Sequence, residues 1–152
     1  MAAKIHSVAK GKRSELYVMA VLLENGFKVF QALADTEGID CIVLGEGNKS
    51  YPIQIKSRAE FTKGDLVDVD HFTNDMFIII FDVLTRKYWI IPSNDYQGLS
   101  RQQTLKDGTL LYRLTMTKNN SPELEKYEGK NGIEVLRSKV CPTTPQLKRR
   151  EE

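Results

Sequence analysis

Two apolar runs of strand length, residues 39–44 and 51–57, are separated by a short loop that contains Gly45-Glu46-Gly47-Asn48. Such a loop between two such runs predicts a β-hairpin with antiparallel neighbouring strands. The first run places apolar residues on both faces, the pattern of a strand in the middle of a sheet. In the second, Tyr51, Ile53 and Ile55 point one way, and Gln54 and Lys56 point the other. Three polar side chains therefore interrupt the pair: Asp40, Gln54 and Lys56. A buried carboxylate or ammonium costs several kcal/mol unless it is paired or binds a metal. The hairpin must hold either an internal salt bridge or a site.

The spacing favours a site. Antiparallel pairing brings Asp40 opposite the end of the second strand, near Gln54 and Lys56. The last two are roughly 7 Å apart along the backbone and point together. A carboxylate, an amide oxygen and an ammonium then converge. Oxygen donors of this kind suit a hard cation such as Mg²⁺, which keeps several of its waters. Lys56 would position an attacking water and offset negative charge on a phosphate.

The segment Gly38-Ile39-Asp40 … Gln54-Ile55-Lys56-Ser57-Arg58 resembles the core motif of the PD-(D/E)XK nuclease superfamily. The preceding Gly11-Lys12-Arg13-Ser14-Glu15, with its helix and Gly26-Phe27-Lys28-Val29, is similar to the opening of archaeal Holliday-junction resolvases. Tyr88-Trp89-Ile90-Ile91-Pro92-Ser93 is also similar to small members of the superfamily. The resemblance implies a restriction-endonuclease-like α/β fold, with a mixed central sheet flanked by helices. It implies Mg²⁺-dependent cleavage of double-stranded DNA, with Mn²⁺ as a substitute. Asp40 and Gln54 would be metal ligands, assisted by Glu15 from the first helix and by the Ile55 carbonyl. Two positions depart from the motif. Gln54 stands where Asp or Glu is usual, which keeps an oxygen ligand but removes a negative charge. Ile39 stands where the motif name has proline. Glutamine at this position tilts the expectation towards a homing or restriction-type enzyme and away from a junction resolvase. It also leaves open a protein that binds DNA without cutting it. Small nucleases of this fold cut both strands as assemblies of identical subunits, so a homodimer or homotetramer is expected.

Lys12, Arg13, Arg58 and Lys63 flank the motif and are candidate phosphate contacts, against the usual fate of such residues as surface charge. His71 reads as an incidental histidine, and Asp65, Asp68 and Asp70 as a solvated acidic loop. The net charge of +2 neither requires nor opposes a nucleic-acid partner.

The remaining pattern is helix, strand, then the hairpin, then strand, strand, helix, strand, helix. A helix is expected over about 12–25, starting at Gly11 or Ser14 and stopped by Gly26. Strands are expected at 28–32, 76–84, 87–91 and 109–116. Ser93 is expected to cap a short helix to 99, and Ser121-Pro122 to open another that ends near Gly129. Residues 58–74 give no clear element, and 133–136 read as a small strand or turn. Residues 76–81 and Trp89 are expected in the core. Residues 1–141 are expected to form a single nuclease-like domain, with 142–152 a disordered tail. Cys41 and Cys141 lack metal spacing and fit free thiols in a reducing, cytoplasmic compartment. Residues 1–12 have no apolar stretch of the signal-peptide kind, and no run reaches membrane-spanning length.

Overall fold

Gly26, at φ 84°, ends α1 (Ala2–Glu24). The Phe27 amide donates to the Leu22 carbonyl (3.1 Å) and the Gly26 amide to that of Leu23 (3.0 Å), which satisfies the last carbonyls of the helix. The computed structural model describes residues 2–34, 37–61, 65–117 and 122–142, and the side chains from residue 7 onward within these ranges. The helix begins ten residues before the expected start at 12. Ser14 is interior, with its hydroxyl donating to the Lys10 carbonyl at 3.2 Å. Gly11 costs a helix about 1 kcal/mol, which does not stop one whose neighbours Lys10, Lys12 and Arg13 are good helix formers.

A five-stranded sheet follows from β1 (Lys28–Gln31), β2 (Cys41–Leu44), β3 (Ser50–Arg58), β5 (Phe77–Asp82) and β6 (Tyr88–Pro92), in the order β1-β2-β3-β5-β6. All neighbours are antiparallel except β3 and β5, which run parallel. The crossover between those two carries β4 (Asp65–Val69), in the stretch that gave no clear element from sequence. β4 pairs with β8 (Leu110–Met116), and β8 with β7 (Arg101–Thr104), in a separate antiparallel sheet. Asp65 and Asp68 therefore lie in a strand and not in a solvated loop.

The large sheet is covered on both faces. Tyr51, Ile53, Ile55, Phe77 and Ile79 pack with Val18 and Leu22 of α1 and with Ile133, Leu136 and Val140 of α4 (Lys130–Val140). Ile78, Ile80, Trp89 and Ile91 pack with Val67, Val69, Leu114 and Met116 of the small sheet and with Tyr96 of α2 (Ser93–Leu99). Residues 76–81 and Trp89 are core, as the sequence predicts. Residues 133–136 are helical, not a strand or turn. Ile133, Leu136 and Val140 recur at helical spacing and are buried together. Gly132 permits the approach, since a Cβ there would lie 2.2 Å from the Tyr127 carbonyl oxygen. α3 (Pro122–Glu125) ends before Gly129, and residues 127–129 bond instead to the edge of β6. Pro92, not Ser93, is the capping residue of α2. Ser121 and residues 143–152 lie outside the described residues.

Candidate active site

The hairpin is antiparallel, with Cys41 opposite Ile53 and Leu44 opposite Ser50. Asp40 stands just before β2 and still engages the ladder, donating its amide to the Ile53 carbonyl at 2.9 Å. Beyond it the chain turns away through Glu37 and Gly38, both at positive φ. The Ile55 amide has no strand partner there. The Asp40 carboxylate takes that place, with Oδ2 accepting from Ile55 N at 2.7 Å. A carboxylate that accepts a backbone N–H is fixed in direction.

Gln54 is 6% exposed, and among the described residues its Oε1 has no hydrogen-bond partner. An orphaned buried acceptor costs about 1–3 kcal/mol, which a cation or a water would recover. Gly38 packs over this amide. A Cβ at Gly38 would stand 2.5 Å from Gln54 Nε2, and its φ of 70° also favours glycine.

Glu15 stands on α1, which packs on the Ile53 and Ile55 face of the sheet, and its charge reaches Cys41. The Cys41 thiol is pushed up to about 12, first by burial and then by the Asp40 and Glu15 carboxylates, so both charges stand close to it. Such a thiol is protonated and inert. Glu15 is ion-paired with Lys12 one turn earlier. Lys56, half-buried, shares its β3 face with Gln54.

Asp40 thus meets β3 at Ile55, which lies between Gln54 and Lys56 in the strand, with Glu15 on α1. As a cation cradle the group offers two carboxylates, one amide oxygen and a backbone carbonyl. Among the described residues, no three His, Cys, Asp or Glu side chains gather to hold a metal. The orphaned Gln54 oxygen supplies the donor that a third carboxylate would otherwise give, so the residues fit a hard cation that keeps much of its water.

The flanking cations separate. The Arg58 guanidinium donates to the Ser57 carbonyl (2.8 Å) and the Leu66 carbonyl (3.1 Å), joining β3 to β4. Arg13 lies with Lys10, Ser14 and Ser57 around an open cleft of about 350 Å³ between α1 and the end of β3. Lys63 lies outside the described residues. His71 is exposed, with Nε2 3.8 Å from Glu37.

Sequence reasoning missed a neighbour of the site. Asp68 holds Arg113 in a two-pronged ion pair, to Nε and Nη2, both at 2.8 Å. Its carboxyl lies below the ordinary range, chiefly through the Arg113 hydrogen bond, with the charges of Arg113, Arg58 and Lys56 adding to it. Asp68 therefore stands within electrostatic reach of Lys56. The sequence signal was present but weak: Val67 and Val69 alternate with Asp68 in strand fashion.

No family model and no curated protein matches the sequence. Among solved structures, the chain is similar to a bacterial homing endonuclease, I-Ssp6803I, with a TM-score of 0.61 and 16% identity over 86% of this chain and 91% of that one. At this identity the likeness is one of fold. It agrees with the restriction-endonuclease-like architecture of a five-stranded mixed sheet flanked by helices.

Proposed function

We propose that the chain is a metal-dependent DNA endonuclease of the site-specific, homing or restriction type. The observation that carries the reading is the buried, unsatisfied Gln54 Oε1 on the strand whose Ile55 amide fixes the Asp40 carboxylate. A buried acceptor of this kind is completed by a bound ion or an ordered water. Asp40 and Gln54 would hold Mg²⁺, or Mn²⁺ in its place, with Glu15 assisting and the Ile55 carbonyl as a backbone ligand. When bound, the cation supplies Lewis-acid stabilisation of phosphate charge and a more acidic water. Lys56 orients that water by hydrogen bonding and offsets the charge that develops on the phosphate. Arg13 contacts the backbone of the bound strand, and Lys12 holds Glu15 in place until DNA competes for it. A homodimer or homotetramer would set two such sites on one duplex. The buried free thiol of Cys41 suits an intracellular setting.

A second reading is favoured by the two-carboxylate site: a protein of nuclease fold that binds DNA without cutting it. Incubation of the protein with supercoiled plasmid, four-way junction DNA and a genomic library, in Mg²⁺, Mn²⁺ or EDTA, decides between them. Cutting in either metal and none in EDTA supports the endonuclease. Binding that persists in EDTA with no cutting in any metal supports the second reading.

A further inference from the structure

The face of the small sheet turned away from the core carries a row of charge. Asp68 of β4 is opposite Arg113 of β8, which is opposite Arg101 of β7. Asp68 grips one edge of the Arg113 guanidinium, and Arg113 Nη1 donates to Gln103 Oε1 at 2.9 Å. That bond uses the acceptor of the Gln103 amide and leaves its NH₂ donors for another partner. Arg101 stands directly across from Arg113, and like charges so placed destabilise a sheet. Among the described residues, Arg101 has no carboxylate within ion-pair distance. Every residue of β7, Arg101-Gln102-Gln103-Thr104, is exposed, and it is an edge strand with no apolar side chain. Polar side chains protect an edge strand from pairing with another chain, and the donors of this edge also match a partner rich in acceptors.

The row begins beside the candidate active site. Arg58 of β3 bonds to the Leu66 carbonyl of β4 at 3.1 Å, and Lys56 and Arg58 act on the Asp68 charge. From β4 to β7 is two strand spacings, about 10 Å. That is the rise of roughly three base pairs of duplex. An antiparallel ribbon also fits the major groove of B-DNA.

We propose that β7 and β8 form the ribbon with which this chain reads DNA sequence in the major groove, Arg101 and the Gln103 amide donating to base acceptors such as O6 and N7 of guanine. Arg113 is a positioning residue, which holds Gln103 by its acceptor oxygen. The inference rests on the endonuclease reading for its placement beside the cut.

The test uses a duplex library of randomised sequence, the wild-type chain, the double variant Arg101→Ala/Gln103→Ala, and Arg113→Lys. Cut ends are sequenced after reaction in Mg²⁺, and bound duplexes are selected separately in EDTA. Wild type is expected to enrich particular bases, with guanine among them, at a fixed distance from the cut. The double variant loses about tenfold of that enrichment. Arg113→Lys keeps the charge, and so the salt dependence of binding, yet relaxes the same positions. Identical sequence profiles for wild type and the double variant overturn the ribbon. So does a wild type that cuts or binds without sequence preference, and the endonuclease reading survives in the cutting case. If wild type cuts nothing yet selects a bound sequence that the double variant loses, the ribbon stands and the endonuclease reading falls.

Discussion

The Ile55 amide and the Asp40 carboxylate meet at 2.7 Å, where the hairpin strands part. The carboxylate stands in for the strand that has turned away, so one contact both finishes the β-ladder and fixes an acidic group at Ile55, between Gln54 and Lys56 in the strand. The direction of the Asp40 side chain is thereby a property of the fold and does not depend on any bound group.

Gly38→Ala is expected to disturb this corner. The new Cβ would sit 2.5 Å from Gln54 Nε2, in a backbone conformation that L residues resist. A loss of about 1–3 kcal/mol in urea-unfolding stability is expected, and cleavage should fall by more than the unfolded fraction explains, because Gln54 is displaced. Wild-type stability in the variant would show that the loop yields freely.

Gln54→Glu restores the charge that the amide lacks. In EDTA the buried carboxylate has no cation to answer it, and stability falls by a few kcal/mol. Added Mg²⁺ should raise the melting temperature of this variant by more than that of wild type, since a ligand stabilises the form it binds. Calorimetric scans with and without Mg²⁺ read this directly. Equal Mg²⁺ shifts in both proteins would remove residue 54 from the metal site.

The Asp68–Arg113 pair has a defined pH dependence. The folded carboxyl titrates below its unfolded counterpart at about 3.9. Its stabilisation is therefore full above that value and is lost as pH falls through the lower, folded pKa. Asp68→Asn should lower the urea midpoint at pH 7 and leave it nearly unchanged at the most acidic pH at which the fold survives. A midpoint difference that is flat with pH would mean the carboxyl is unperturbed.

Tyr96 ties α2 to the small sheet, with its buried hydroxyl 2.7 Å from the Val67 carbonyl oxygen and 3.3 Å from that of Tyr112. Tyr96→Phe leaves these carbonyls without the donor and should cost about 1–2 kcal/mol. Hydrogen exchange is expected to quicken in β4 and β8 before it does in β3 and β5.

The residues of the site were legible because each breaks a pattern. Gln54 and Lys56 stand out against Tyr51, Ile53 and Ile55 through the two-residue period of a strand, and Asp40 interrupts an apolar run. Glu15 could be found only through the resemblance, since on an amphipathic helix it resembles any solvated acid. β7 was illegible for a physical reason: all four of its side chains are exposed, so it is held by backbone pairing to β8, which leaves no apolar trace. α4 was misread because only the stretch 133–136 is densely apolar, and Val140, which completes the helical face, lies beyond it. Arg58 is a candidate phosphate contact or a surface charge by its place in the sequence, and the structure turns its guanidinium towards β4.

The central claim is that Lys56 works on DNA beside Asp40 and Gln54. Its most direct test is single-turnover cleavage of plasmid or library DNA by wild type and Lys56→Ala in Mg²⁺, with an EDTA control and DNA binding measured in parallel. Wild type should cut in Mg²⁺ alone, and Lys56→Ala should bind DNA within a few-fold of wild type while cutting at least about a hundredfold more slowly. Undiminished cutting by Lys56→Ala would contradict the assignment of the site, and cutting in EDTA would contradict the dependence on metal.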